Sequence, residues 1–288
     1  MPNLTILRAS MFGLIMTGTA HADTVLTDLS AAGDINVLLH RTAATVCMVA
    51  AGADEVAEKE DLALARTRFN TLLDQLADGR LSEETEAVAA AWRDQDVALS
   101  MILAGDDPAA YADTITNGRP GLEFAALALM DAASHRYAQL EEVAMNDVVT
   151  FDVAGRQEIY VQKMKHLACA AMADDAAVDV FADLTDAVGL YDRSLTALRD
   201  GVPAMGIDAP ASYAVQQALA AAAFDWQGVK SVLATIAADG VATADDLSTL
   251  RIKSTALAAK MSDVVDMYLA PADVKGVPQV ASLEVAAQ

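Results

Sequence analysis

Residues 29–47, LSAAGDINVLLHRTAATVC, and residues 151–169, FDVAGRQEIYVQKMKHLAC, are two versions of one segment. Leu29, Gly33, Arg41 and Cys47 return as Phe151, Gly155, Lys163 and Cys169. The same offset of 122 continues downstream, where Phe69, Leu73, Leu76 and Gly79 return as Tyr191, Leu195, Leu198 and Gly201. A fixed offset without insertion marks a repeated structural unit, and a period of this length is domain-sized rather than solenoid-sized. Later positions shift to an offset of 131, Met130 and Tyr137 matching Met261 and Tyr268. Nine residues are therefore added in the second copy, and the long connection from Gly201 to Pro210 is one place for part of them.

The composition is that of helices. Ala, Leu, Glu, Asp and Met are abundant, aromatics make up 5%, and alternating β-branched runs are scarce. Four helices are expected in each copy: 30–51, 55–77, 83–103 and 108–137, then 152–173, 176–199, 210–238 and 245–268. Gly79, the Gly105–Pro108 turn and Gly240 punctuate them. Short connections between antiparallel helices make an up-down bundle. The expected class is all-α, with two tandem four-helix bundles.

Arg8, an apolar run from Ala9 to Thr19 and the small-x-small triplet Ala20-His21-Ala22 read as a secretory leader cleaved before Asp23. The expected division is a signal peptide at 1–22, modules at 23–145 and 146–270, and a loosely ordered tail at 271–288. No later run reaches the ~18 apolar residues of a membrane span, so a soluble exported protein in the periplasm is expected, without a direct membrane span. The formal net charge is −22, one unit more negative once Arg8 leaves with the leader. That field repels nucleic acid and anionic lipid. Capture of an anion would have to rely on local cations.

Helical-wheel positions at ~100° per residue split the first helix of each copy into two faces. Ile35, Leu38, Leu39, Thr42, Val46 and Val49 share one side, as do Tyr160, Val161, Met164, Leu167, Ala168 and Ala171 in the second copy. These form the core face. Asn36, His40, Ala43 and Cys47 lie on the other side, matched by Glu158, Gln162, Lys165 and Cys169. Cysteine is among the most buried residue types, so this polar stripe is expected to face a partner surface. Two cysteines in an exported chain permit one disulfide or two free thiols.

Val153-Ala154-Gly155-Arg156-Gln157, followed by Gln162-Lys163-Met164 and the small residues up to Cys169, resembles the signature helix of the PilJ-type sensor domain, the type IV pilus methyl-accepting chemotaxis transducer N-terminal domain. Ala32-Gly33, His40-Arg41, Ala43-Ala44 and Cys47 are a weaker version. Phe69 to Gly79 and Tyr191 to Gly201 resemble the end of that module's second helix. The resemblance implies an extracytoplasmic helical sensor akin to the periplasmic part of nitrate and nitrite sensor kinases, where a first-helix arginine binds the anion at a two-fold interface. Asn36 and Glu158 hold the matching positions here, and a carboxylate there opposes an anion. No linker module or methyl-accepting coiled coil is legible, so signalling across a membrane by this chain alone is not expected. Relatives dimerise through the first helix, and a repeated chain can imitate that dimer internally, bringing Cys47 to Cys169. The alternative is end to end: no Gly or Pro interrupts Leu122 to Ala154, so helix four could run into the next copy and leave the cysteines tens of ångströms apart, at ~1.5 Å per residue. Asp28 and Thr150 are equivalent candidate caps for a fresh start.

Arg156 and Lys163 lie seven residues apart with Gln157 beside the first, and with Arg41 as the first copy's cation they are the candidate ligand-binding residues. A solvated basic flank is the competing explanation. Asn36, His40, Cys47, Glu158, Gln162 and Cys169 are the candidate inter-module residues. Met164, His166, Cys169 and Met172 are soft or borderline ligand types, but their wheel positions scatter, so core packing explains them better and no metal is assigned. Trp92 and Trp226 read as packing anchors. No nucleophile with a base, phosphate loop or HExxH spacing is present, so neither enzyme activity nor a cofactor is expected. The leading expectation is a non-catalytic sensor-type binding protein for a small molecule or a membrane-bound signalling partner. The alternative is a structural or interaction protein that has lost ligand binding. N-terminal sequencing of the exported protein should find Asp23 first, and a cytosolic pool retaining Met1 would refute the leader.

Overall fold

The computed structural model describes residues 12–52, 54–140, 145–172, 178–210 and 212–269. Among these, eight α-helices follow one another: α1 (Phe12–Ala50), α2 (Glu55–Ala77), α3 (Ser82–Ala104), α4 (Ala112–Tyr137), α5 (Met145–Ala170), α6 (Val178–Asp200), α7 (Tyr213–Asp239) and α8 (Ala244–Leu269). Short 3-10 turns at Pro108–Tyr111 and Pro203–Met205 complete the regular structure. Helix α1 packs on α2 and α4, and α3 joins those two to close one bundle; α5 packs on α6 and α8, with α7 closing the other. The chain is all-α, as its composition indicates.

Local chemistry sets the helix ends. Glu55 and Glu58 place negative charge in the first turn of α2, where the helix dipole favours it. Gly105 ends α3 at φ 112°, its N–H donating to the Ile102 and Met101 carbonyls, and Gly240 ends α7 at φ 68°. Helix α8 opens with a reciprocal cap: the Asp246 N–H donates to Thr243 Oγ1 (3.1 Å) while the Thr243 N–H donates to Asp246 Oδ2 (3.0 Å).

Two expectations about the first helices need correction. Helix α1 passes through Asp28, and α5 begins before Thr150, so neither residue is a cap. The reason is packing, because Val25 and Leu29 continue the buried apolar period upstream of Ser30, and Thr150 is itself buried. The end-to-end arrangement also fails. Helix α4 stops at Tyr137, the chain turns at 138–140, and α5 returns beside α1. Cys47 and Cys169 form a disulfide with their Cα atoms 6.1 Å apart.

Each core holds one aromatic contact between its second and third helices. Phe69 stacks on Trp92 with ring centroids 4.0 Å apart, and Tyr191 meets Trp226 at 4.3 Å. Trp92 Nε1 donates to Asn70 Oδ1 at 2.9 Å; Trp226 Nε1 donates to Asp192 Oδ1 at 2.8 Å. Asn70 and Asp192 are themselves 122 positions apart. The added residues fall partly where expected: the α6–α7 connection is longer than the α2–α3 connection and α7 is longer than α3, while the α7–α8 turn is shorter than its counterpart.

Leu73, Leu76, Leu195 and Leu198 are all buried. Leu73→Ala and Leu195→Ala should each lower unfolding free energy by ~2 to 5 kcal/mol in denaturant titrations. Because the disulfide spans a separation of 122 residues, replacing both cysteines with serine should cost ~2 to 4 kcal/mol in the same assay.

Candidate binding cleft at the seam of the two bundles

Of the polar stripes of α1 and α5, Cys47 and Cys169 bond to each other, Asn36 and Glu158 line one cleft, and Lys165 reaches α2. Residues 30–37 of α1 lie opposite 151–159 of α5 across one cleft, and further along Cys47 lies opposite Cys169. The two helices therefore run parallel.

The cleft sits at the upper part of this seam, with a cavity volume of about 60 Å³. Helices α1 and α4 of one bundle and α5 and α8 of the other build it. Val37, Met130, Phe151 and Val265 supply apolar wall, and Gly33 and Gly155 face it with open space where a Cβ would stand. Its charge is mainly negative, from Asp34, Asp152, Glu158 and Asp266. Arg156 is the cation in the wall, and its Nε already donates to Asp152 Oδ2 at 2.8 Å. Asp34 accepts from Arg68 at 3.1 Å. Burial raises the Asp34 carboxyl above its ordinary range despite that arginine. Burial, reinforced by Asp34 and Asp266 and opposed by Arg41, pushes Glu158 up to about 7.

The sequence-derived ligand residues do not converge. Arg156 lines the cleft. Gln157 turns inward to α6, donating to Ser194 Oγ at 2.6 Å and to the Val153 carbonyl at 3.2 Å. Lys163 stands ~10 Å further along α5 at ~1.5 Å per residue. Arg41 is held by both oxygens of Asp61, which also accepts from Thr45 Oγ1 at 3.2 Å. Asn36 donates to the carbonyls of Ala32 (3.1 Å) and Ala126 (2.9 Å), tying α1 to α4. Gln162 is buried. Met164 is core, Cys169 is in the disulfide, and no metal-ligand cluster of three His, Cys, Asp or Glu exists among the described residues.

Sequence reasoning missed the ion pair below the cleft. Lys165 Nζ meets Glu58 Oε2 at 3.4 Å, with side-chain exposures of 5% and 2%. This pair links α5 of one bundle to α2 of the other. Arg251 of α8 adds a 3.8 Å contact to Glu58 and a 2.7 Å bond to Asp54. Burial pushes the Glu58 carboxyl up, against the pull of Lys165. The partners are 107 residues apart, and helical periodicity places Lys165 on a face without naming what it meets.

Removing one member of such a pair strands a buried charge. Lys165→Met should destabilise by ~3 to 5 kcal/mol, while Lys165→Met with Glu58→Leu should lie closer to wild type, as measured in a double-mutant cycle. Glu158 titrates in the opposite sense to a salt-bridged carboxylate. Its folded value near 7 exceeds the ordinary 4.5, so the stability it contributes is full below about pH 4.5 and is lost as pH rises to about 7. Glu158→Gln should therefore gain stability relative to wild type as pH rises through that window.

No helix among the described residues is long and apolar enough to cross a membrane. Comparison with curated proteins found no match, and neither did comparison with solved structures. A family match is found for the second bundle, starting at the edge of α5 and running through α6 and α7 into α8. Residues 144–251 match the model of the PilJ family, described as type IV pili methyl-accepting chemotaxis transducer N-term.

Proposed function

We propose that this chain is an exported, non-catalytic sensor-type binding protein that recognises a small molecule in the seam cleft and passes the event to a membrane-bound signalling partner. The family of residues 144–251 supports a sensory role. The observation that carries the reading is the position of the cleft. Its walls come from both bundles, so a ligand there changes the free energy of one bundle's placement against the other, which is what a sensor needs. The leader read from the sequence supports delivery to the periplasm.

Cleft chemistry selects the ligand class. Asp34 and Asp152 are engaged by arginines, leaving Glu158 and Asp266 facing the space without ion-pair partners among the described residues. A small anion meets like charge there, whereas an amine or an uncharged hydrogen-bond donor is accepted. A cationic ligand would also draw Glu158 into its ionised form, offsetting the cost of burying both charges. At about 60 Å³ the cleft admits a compact ligand of few heavy atoms.

The second reading, a helical docking protein, is favoured by the exposure of Phe124 (77%) and Phe224 (81%). Thermal-shift screening of the mature protein with small amines, amino acids, neutral solutes and inorganic anions separates the two. A cleft ligand at 100 times its Kd should stabilise by ~2.7 kcal/mol, and Glu158→Gln should reduce the response to amines. Absence of any shift across amines and neutral solutes would leave the docking reading standing.

A further inference from the structure

Copy one leaves open a groove that copy two covers with its own chain. Residues 201–212 join α6 to α7, whereas residues 78–81 join α2 to α3. The longer connection folds back on itself, because the Val202 N–H donates to the Ile207 carbonyl at 2.7 Å and the Ile207 N–H returns to the Val202 carbonyl at 3.3 Å. It lies against the start of α5. A Cβ on Gly206 would stand 3.7 Å from Val149 Cγ2, and Asn146 Nδ2 donates to Asp208 Oδ2 at 2.9 Å. Ile207 is buried in this arrangement.

The counterparts in copy one are uncovered. Thr27 of α1 is exposed where Val149 is half-buried, and Gln75 of α2 is exposed where Ala197 is half-buried. Between α1 and α2 at this level lies an open groove of about 300 Å³. Leu26, Ala31 and Leu72 give it an apolar floor, continuous with the first core. Thr27, Ser30, Arg68 and Gln75 supply its polar edge.

We infer that the α1–α2 groove is a docking site for an extended peptide segment of a partner protein, which supplies from outside what residues 203–208 supply in copy two. A peptide must satisfy both the N–H and the C=O of its backbone. The Ser30 hydroxyl and the Gln75 amide can each donate and accept. The apolar floor takes an aliphatic side chain of the kind Ile207 provides. Arg68 stands where copy two has Leu190, so a segment bearing a carboxylate, as Asp208 does, is favoured over one bearing an ammonium.

The groove is continuous with the seam between the bundles. Ser30 lines both the groove and the acidic cleft. The Arg68–Asp34 bond, 3.1 Å long, joins a wall of one to a wall of the other. A docked carboxylate that draws Arg68 toward itself weakens the hold on Asp34, so occupancy of the groove changes the charge that the cleft presents. The docking site rests on the internal repeat and does not depend on which ligand the cleft takes.

The test uses the mature protein and a capped peptide of the chain's own residues 201–210, GVPAMGIDAP, with a scrambled peptide of the same composition as control. In amide NMR titrations the native peptide should move the signals of Thr27, Ala31, Leu72 and Gln75, and the scrambled peptide should not. Gln75→Trp, at an exposed position, fills the groove and should weaken binding by about tenfold or more. Phe224→Ser, on the exposed face of α7, should leave it unchanged. Replacing residues 78–81 with residues 201–212 covers the groove with a tethered segment and should abolish capture. Groove signals that stay in place, equal movement with the scrambled peptide, binding indifferent to Gln75→Trp, or a groove that takes small amines or neutral solutes but not the peptide would each overturn the inference.

Discussion

The parallel packing of α1 on α5 is the constraint on which the rest of the molecule depends. Each of these helices is one wall of its own bundle and the floor of the other's interface, so neither has a face left for solvent along most of its length. The axes lie close enough for Cys47 and Cys169 to bond, at a Cα separation of 6.1 Å. The Lys165–Glu58 pair then locks α5 against α2. A buried ion pair contributes little net stability when replaced as a unit, but it penalises any register that separates its members. The disulfide restricts the unfolded chain, while the pair selects among folded arrangements.

Along the seam the polar groups fall into zones. The acidic cleft comes first, where residues 30–37 face 151–159; the Lys165–Glu58 pair follows; the disulfide lies beyond it. Arg41 of α1 and Lys165 of α5 are both met by carboxylates of α2, Asp61 and Glu58. At the positions 122 residues on, α6 carries the exposed Asp183 and Val180.

The cores have diverged far less. Phe69 with Trp92 and Tyr191 with Trp226 keep the ring contact, and even the indole hydrogen bond persists through Asn70 and Asp192. A close-packed interior tolerates changes of volume poorly. The connections absorbed the difference in length instead, through a longer α6–α7 loop and a longer α7. Loop closure costs rise only slowly with loop length, so such changes leave the bundle geometry intact.

Periodicity and repetition in the sequence by themselves determined the helical class, the pairing of positions between copies and the core faces. Ile35, Leu38, Val46, Val161 and Met164 are buried as their spacing requires, because a helix makes burial a property of local order. The polar stripe was likewise visible, since a cysteine repeated on a hydrophilic face needs a reason. Tertiary structure alone decided what the stripe meets. The turn after Tyr137 placed the bundles side by side, a choice absent from the apolar pattern of Leu122 to Ala154. The lining of the cleft by Arg156 and the hydrogen bond of Gln157 to Ser194 of α6 are likewise tertiary outcomes. Electrostatic partners such as Lys165 and Glu58 belong to helices 107 positions apart. Charge complementarity depends on distance in space, and a linear sequence records that distance only where secondary structure makes it local.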